Sequence, residues 1–183
     1  MRYKKEKMFL MKKNQTVFLK LCLADALITL MKKQAYNTIN VSAVCELAGI
    51  GRTTFYRHLD NKSGKEELLI FKINYDWEKY AEEHSEEVEK DKGFALLKYV
   101  YENRRLFTLL NKNGLVTTIM CVFEKLILSD EPIDKESSYI MSFFTYGYFG
   151  VIYQWIKYDF DESPEEVQKH IIVKATPHNV SKK

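Results

Sequence analysis

Residues 40–59 place Arg52, Thr53, Thr54, Tyr56, Arg57 and His58 within a single short run. Guanidinium, hydroxyl and imidazole groups at that density make hydrogen bonds to phosphates and to the edges of bases. The residues around them say how they would be held. Asn40 suits the cap of a short helix, Val41, Val44, Leu47 and Ala48 recur at spacings of three and four, and Gly49 supplies the left-handed turn that ends it. A second helix follows at once, with Phe55 and Leu59 as its inward positions and the polar residues on its other faces. Two short helices about a glycine turn form the pattern of a helix-turn-helix nucleic-acid reader.

Other chemistry is sparse. The chain has no P-loop, no dinucleotide glycine fingerprint, no nucleophile elbow and no H-E-x-x-H zinc motif, so no enzyme activity is expected. His84, His170 and His178 stand on polar or terminal stretches without a cysteine or carboxylate at ligand spacing, and neither a metal site nor a cofactor is expected. Cys22, Cys45 and Cys121 are odd in number, far apart and set in apolar helical surroundings, which makes them free buried thiols. The basic start has no apolar core behind it, and no stretch approaches the roughly 18 uncharged apolar residues of a spanning helix. A soluble cytoplasmic protein with no membrane association is expected.

Charge is unevenly divided. The net charge is +3, but residues 1–75 carry 14 Lys and Arg against 6 Asp and Glu, a net of +8, while the remainder carries 14 against 19, a net of −5. Positive potential thus gathers where phosphate binding would need it. Arg2, Lys4, Lys5, Lys7, Lys12 and Lys13 supply six of these charges, and a basic N-terminal arm accounts for part of the asymmetry. Such arms can also lie along a DNA groove.

The elements that position these groups read as helix after helix. With 46% apolar residues, 7 Gly and 3 Pro in 183, a helical core is easy and a turn-rich β fold is not. Helical spacing predicts a first helix over 16–33, with Val17, Leu21, Ala24, Ile28 and Met31 on one stripe and Leu23, Leu27 and Leu30 beside it. Ser63 caps a long helix ending near Glu83, followed by an acidic connector over 82–91. Shorter helices follow over 94–101, 104–111 and 115–128, with turns at Asn113-Gly114 and Asp130-Glu131-Pro132. Residues 139–160 are apolar and aromatic almost all round, as in a helix covered on several faces. Ser163-Pro164-Glu165-Glu166 starts a last helix whose stripe is Val167, Ile171 and Ile172.

Ala48-Gly49-Ile50-Gly51-Arg52-Thr53-Thr54-Phe55-Tyr56-Arg57-His58-Leu59, followed by Lys62, resembles the recognition segment of the TetR family of bacterial transcriptional regulators. The likeness extends back through Leu23, Ala26, Leu27, Leu30, Tyr36 and Ile39 and covers residues 18–69. Ala35 replaces the usual glycine before the aromatic, and the Lys-Glu-Glu-Leu-Leu run at 65–69 comes later than in the family pattern, after Ser63-Gly64. Either Lys62 or Lys65 therefore matches the family's phosphate-contacting lysine. A looser likeness over 143–171, with Tyr146-Gly147, Trp155-Ile156 and Glu162-Ser163-Pro164-Glu165-Glu166, is to the last two helices of the family's regulatory domains, which pair across a two-fold axis.

The resemblance implies an all-α protein: an N-terminal arm and three-helix helix-turn-helix domain over 1–75, then a helical-bundle regulatory and dimerisation domain over 76–183. It implies a homodimeric, ligand-responsive repressor on palindromic double-stranded operator DNA, with a small-molecule effector. The residues expected at the DNA are Asn40, Ser42, Gly51, Arg52, Thr53, Thr54, Tyr56, Arg57, His58 and Lys62. An effector pocket is expected from Phe94, Phe107, Thr118, Phe123, Tyr139, Phe143 and Tyr146, and a subunit interface from Tyr148, Ile152, Trp155, Val167 and Ile171. The competing reading is a helical adapter or coactivator that docks a partner protein through its aromatic C-terminal domain and binds no DNA.

Overall fold

The computed structural model describes the backbone of residues 2–59, 64–127 and 134–174 and the side chains of 14–57, 59, 64–127 and 134–171. Ten α-helices and one 3-10 turn account for the described residues, with no strand among them, and the fold is all-α. The chain divides into two compact units, Met1–Tyr75 and Asp76–Lys183.

In the first unit, α1 (Arg2–Met31) runs for 30 residues without a glycine or proline to interrupt it. The expected arm ahead of a helix over 16–33 is instead the start of that helix, because Lys, Glu, Met and Leu all propagate helix well. Leu23, Ala24, Ala26, Leu27 and Met31 are its buried positions. The segment Asn14–Met31 is long and apolar enough to cross a membrane, yet its charges are tied within this unit. Lys20 pairs with Glu67 at 2.8 Å and Asp25 with Lys72 at 3.7 Å, both partners on α4 (Gly64–Glu83). A 3-10 turn, Tyr36–Thr38, then delivers Ile39 into the core, where it is 2% exposed.

α2 (Val41–Ala48) begins with Asn40 accepting from the Ala43 amide at 2.8 Å and ends at Gly49, whose φ of 66° is the left-handed geometry its position requires. The inward arc differs from the expected one. Val44 and Cys45 are buried, and since Cys45 takes the adjacent inward position, Leu47 is turned to solvent at 51% exposure. α3 (Arg52–His58) buries Phe55, and Leu59 closes it. Gly64 lets α4 begin against that pair, for a Cβ there would stand 3.2 Å from the Phe55 ring. The expected Ser63 cap lies outside the described residues.

In the second unit the end of α4 is followed by α5 (Ser85–Lys90), α6 (Lys92–Glu102), α7 (Arg104–Lys112), α8 (Val116–Ile127), α9 (Lys135–Lys157) and α10 (Pro164–Lys174). The acidic connector is thus partly a helix, and Asp91 at its end caps α6 by accepting from the Phe94 amide at 2.9 Å. α6 packs against α5, α7, α9 and α10, and Ala95, Leu96, Leu97, Tyr99 and Val100 are all buried. Trp77, Tyr80 and Phe107 surround Tyr99 at ring distances of 5.4, 5.5 and 6.4 Å, and burial pushes its phenol far above the ordinary range. Gly114 makes the expected turn with φ 74°, whereas the Asp130-Glu131-Pro132 turn lies outside the described residues.

α9 ends earlier than expected. Asp159 and Phe160 both take φ of 56°, a conformation that costs a non-glycine residue roughly 1 kcal/mol or more. Burial of Phe160 against Trp155, at 5.0 Å, and Tyr101, at 6.3 Å, compensates. Close packing also explains Gly93 in the first turn of α6, since a Cβ there would overlap the Tyr148 hydroxyl on α9. Gly93→Ala should therefore destabilise the protein by about 1–3 kcal/mol. In a Tyr148→Ala background the same change should cost under about half of that, as read by chemical denaturation in a double-mutant cycle.

Candidate DNA-reading face and apolar groove

The first unit presents one polar face. Asn40 and Ser42 at the start of α2, and Gly51, Arg52, Thr53, Tyr56 and Arg57 at α3, are exposed, while Thr54 is half-buried. The side chain of His58, and Lys62, lie outside the described residues. What holds this face outward is the opposite side of α3, where Phe55 is 1% exposed and its ring meets Tyr56 edge-on at 5.3 Å. Arg52 reaches back to α2, its guanidinium donating to Ser42 Oγ at 3.5 Å. Gly51 has open space about its missing side chain, so nothing within the protein demands glycine there.

Lys65 is placed differently. Its ammonium donates to the carbonyls of Ile39, at 2.6 Å, and Tyr36, at 3.1 Å, and lies 4.2 Å above the Tyr36 ring. Burial lowers its pKa and, with the nearby Glu66 carboxylate, raises that of Tyr36 to about 12. No local pattern points to these partners, which are 26 and 29 residues away.

In the second unit the seven residues expected to line a pocket are not brought together. Phe107, Thr118 and Phe123 are core, whereas Tyr139, Phe143 and Tyr146 are exposed, Phe143 at 75%, and Tyr146 donates to Glu124 at 2.7 Å. Phe94 lines a polar groove of about 770 Å³ with His84, Glu87, Lys90, Asp91 and Gln168. The expected interface residues are divided as well. Ile152 is 0% exposed and lies in the protomer's own core, whereas Trp155 and Val167, though largely buried, line the open arc of α9 and α10 together with Tyr148 and Ile171, and Trp155 Nε1 donates to the Glu162 carbonyl at 3.1 Å. An all-round apolar helix does not reveal from its sequence which arc its own domain covers. The open arc of α9 and α10 forms an apolar groove of about 700 Å³, in which Tyr148 and Ile171 are joined by Phe143, Phe144, Val151 and Tyr158. Phe144, Tyr148, Val151 and Tyr158 stand at helical spacing, a signal the sequence did contain. Gly147 and Gly150 border this groove with open space above them.

Among the described residues no three His, Cys, Asp or Glu side chains converge as a metal site. Cys45 is buried, while Cys22 and Cys121 are half-buried and all three are free.

Residues 75–174, over half of the chain, match the family model of the TetR-type transcriptional regulator C-terminal region. The chain belongs to the TetR family of transcriptional regulators. No curated protein matches it. Regulators of this family bind DNA and small-molecule effectors, and membership points to a regulatory rather than a catalytic role. The matched region begins after the helix-turn-helix segment and does not include it.

α10 of the regulator starts with a reciprocal cap. The Ser163 amide and hydroxyl donate to Glu166 at 2.8 and 2.9 Å, and the Glu166 amide returns a bond to Ser163 Oγ at 3.3 Å. These bonds hold the Glu166 carboxyl below its ordinary pKa of 4.5. A lowered carboxyl pKa means that the unfolded state binds the proton more readily. The cap's contribution is therefore present above about pH 4.5 and is lost as pH falls through the lowered value. Glu166→Gln should make thermal stability less dependent on pH below that point, as followed by circular dichroism.

Proposed function

We propose that this regulator is a homodimeric, ligand-responsive repressor of the cytoplasm that binds a palindromic operator through α2 and α3. The observation that carries the reading is the polar face of Arg52, Thr53, Tyr56 and Arg57 held outward over buried Phe55 and Leu59, next to an α2 capped at Asn40. Lys62 and His58 would extend the same contact set, and Thr54 would meet the groove edge. Two such faces about one DNA turn apart, roughly 34–36 Å, suit successive major grooves. An effector that favours another conformation of the C-terminal unit releases the DNA by shifting the population, to the extent of its differential affinity.

The α9–α10 groove supports the dimer. Phe144, Val151, Tyr158 and Ile171 form an apolar surface of the kind soluble monomers seldom leave open. Gly147 and Gly150 cost the helix interior about 1 kcal/mol each and satisfy no turn or packing need inside the protomer. Close approach of a second helix gives them a purpose, and pairing the groove with its own copy makes an isologous interface.

Two measurements test the reading. Arg57→Ala should cost about 1–3 kcal/mol on operator DNA and much less on random duplex, measured by fluorescence anisotropy. Equal losses on both would leave Arg57 as a phosphate contact only. Val151→Glu or Ile171→Glu should dissociate the protein at micromolar concentration in sedimentation velocity and weaken operator binding by at least about a hundredfold, with helicity retained. A wild type that sediments as a monomer and binds a palindrome at full affinity would rule out the dimeric mechanism.

A further inference from the structure

Lys65 stands in the first turn of α4, where the aligned peptide dipoles make a cation unwelcome. Its side chain leaves that helix end and crosses to the segment between α1 and α2. There the ammonium meets the Ile39 carbonyl at 2.6 Å, the Tyr36 carbonyl at 3.1 Å and the face of the Tyr36 ring at 4.2 Å. Charge-assisted bonds of this kind are worth about twice a neutral one. The Ile39 carbonyl belongs to the peptide that joins the buried Ile39 to Asn40. Asn40 in turn caps α2 through the Ala43 amide. The ammonium therefore fixes the one residue at which α2 starts, and with it the exposed Asn40 and Ser42, the latter in contact with Arg52 of α3.

We propose that Lys65 is a positioning residue for DNA reading: it does not touch the nucleic acid, but holds the N-terminal end of α2 so that Asn40 and Ser42 meet the phosphate backbone in register with α3. The inference rests on the DNA-binding reading above. Two of the three ammonium donors of Lys65 are already committed to backbone carbonyls, which aims the group at the α1–α2 segment. Lys65→Met keeps the length of the side chain and removes the donors, whereas Lys65→Arg keeps donors that can serve both carbonyls.

Hydrogen exchange on the full-length free protein, followed by NMR, reads the tie without DNA. Lys65→Met should speed exchange of the Ala43 and Val44 amides by about tenfold or more and leave the Leu23–Leu27 amides of α1 unchanged, with Lys65→Arg recovering most of the protection. Unchanged exchange at Ala43 and Val44 would overturn the proposal. On operator DNA, at a temperature where every variant is folded, Lys65→Met should weaken binding by about tenfold and leave the slope of log affinity against log salt unaltered. In an Asn40→Gly, Ser42→Ala background it should weaken binding by less than about threefold, because the groups it positions are gone. A slope reduced by about one per subunit would make Lys65 a phosphate contact and sink the positioning role. Faster exchange together with no salt-dependent DNA binding by the wild type would overturn the DNA reading, and the role with it, while leaving the Lys65 tie standing.

Discussion

A helix of seven residues has little stability of its own in water, because its nucleation is barely repaid by so few bonds. α3 persists only because Phe55 and Leu59 are buried. That burial is the constraint on which the outward polar face, and with it the proposed DNA reading, depends. It fixes the rotation of α3 and so decides that Arg52, Thr53, Tyr56 and Arg57 project outward. It also explains Gly64, the residue that lets α4 begin in contact with the Phe55 ring. Asn40 and Gly49 contribute locally by starting and stopping α2, so that the turn into α3 has one geometry.

The second unit works by a different constraint. Its aromatic residues exceed what one core can cover, and the structure divides them. Tyr99, Phe107, Trp155 and Phe160 go inward, with Phe160 accepting a left-handed backbone as the cost of its burial. Phe143, Phe144 and Tyr158 remain outside beside two helix-interior glycines. The second unit is thus divided between a packed interior and an open apolar face.

Features set by local signals are legible in the sequence. The Asn40 cap, the Gly49 turn, the inward Phe55 and the Ser163 to Glu166 cap each depend on residues within a few positions, and each is found as expected. Features decided by a distant partner are not legible there. Leu47 fits the apolar spacing of α2, but its neighbour Cys45 takes the inward arc. Ile152 has the composition of an interface residue, and only the packing of α6 against α9 and α10 shows it to be interior. Phe107, Thr118 and Phe123 suit either a pocket lining or a core by residue type, and the structure buries all three. Lys65 matched a phosphate-contact register, whereas its charge is engaged by carbonyls far away in sequence.

The central claim is that two copies of the α2–α3 face read one symmetric DNA site. Selection by the full-length protein from a pool of random duplexes, followed by sequencing, tests it most directly. The selected pool should be enriched in an inverted repeat whose half-site centres are about one DNA turn apart, roughly 34–36 Å. A pool that stays random after repeated rounds, or that converges on a lone half-site, would contradict it.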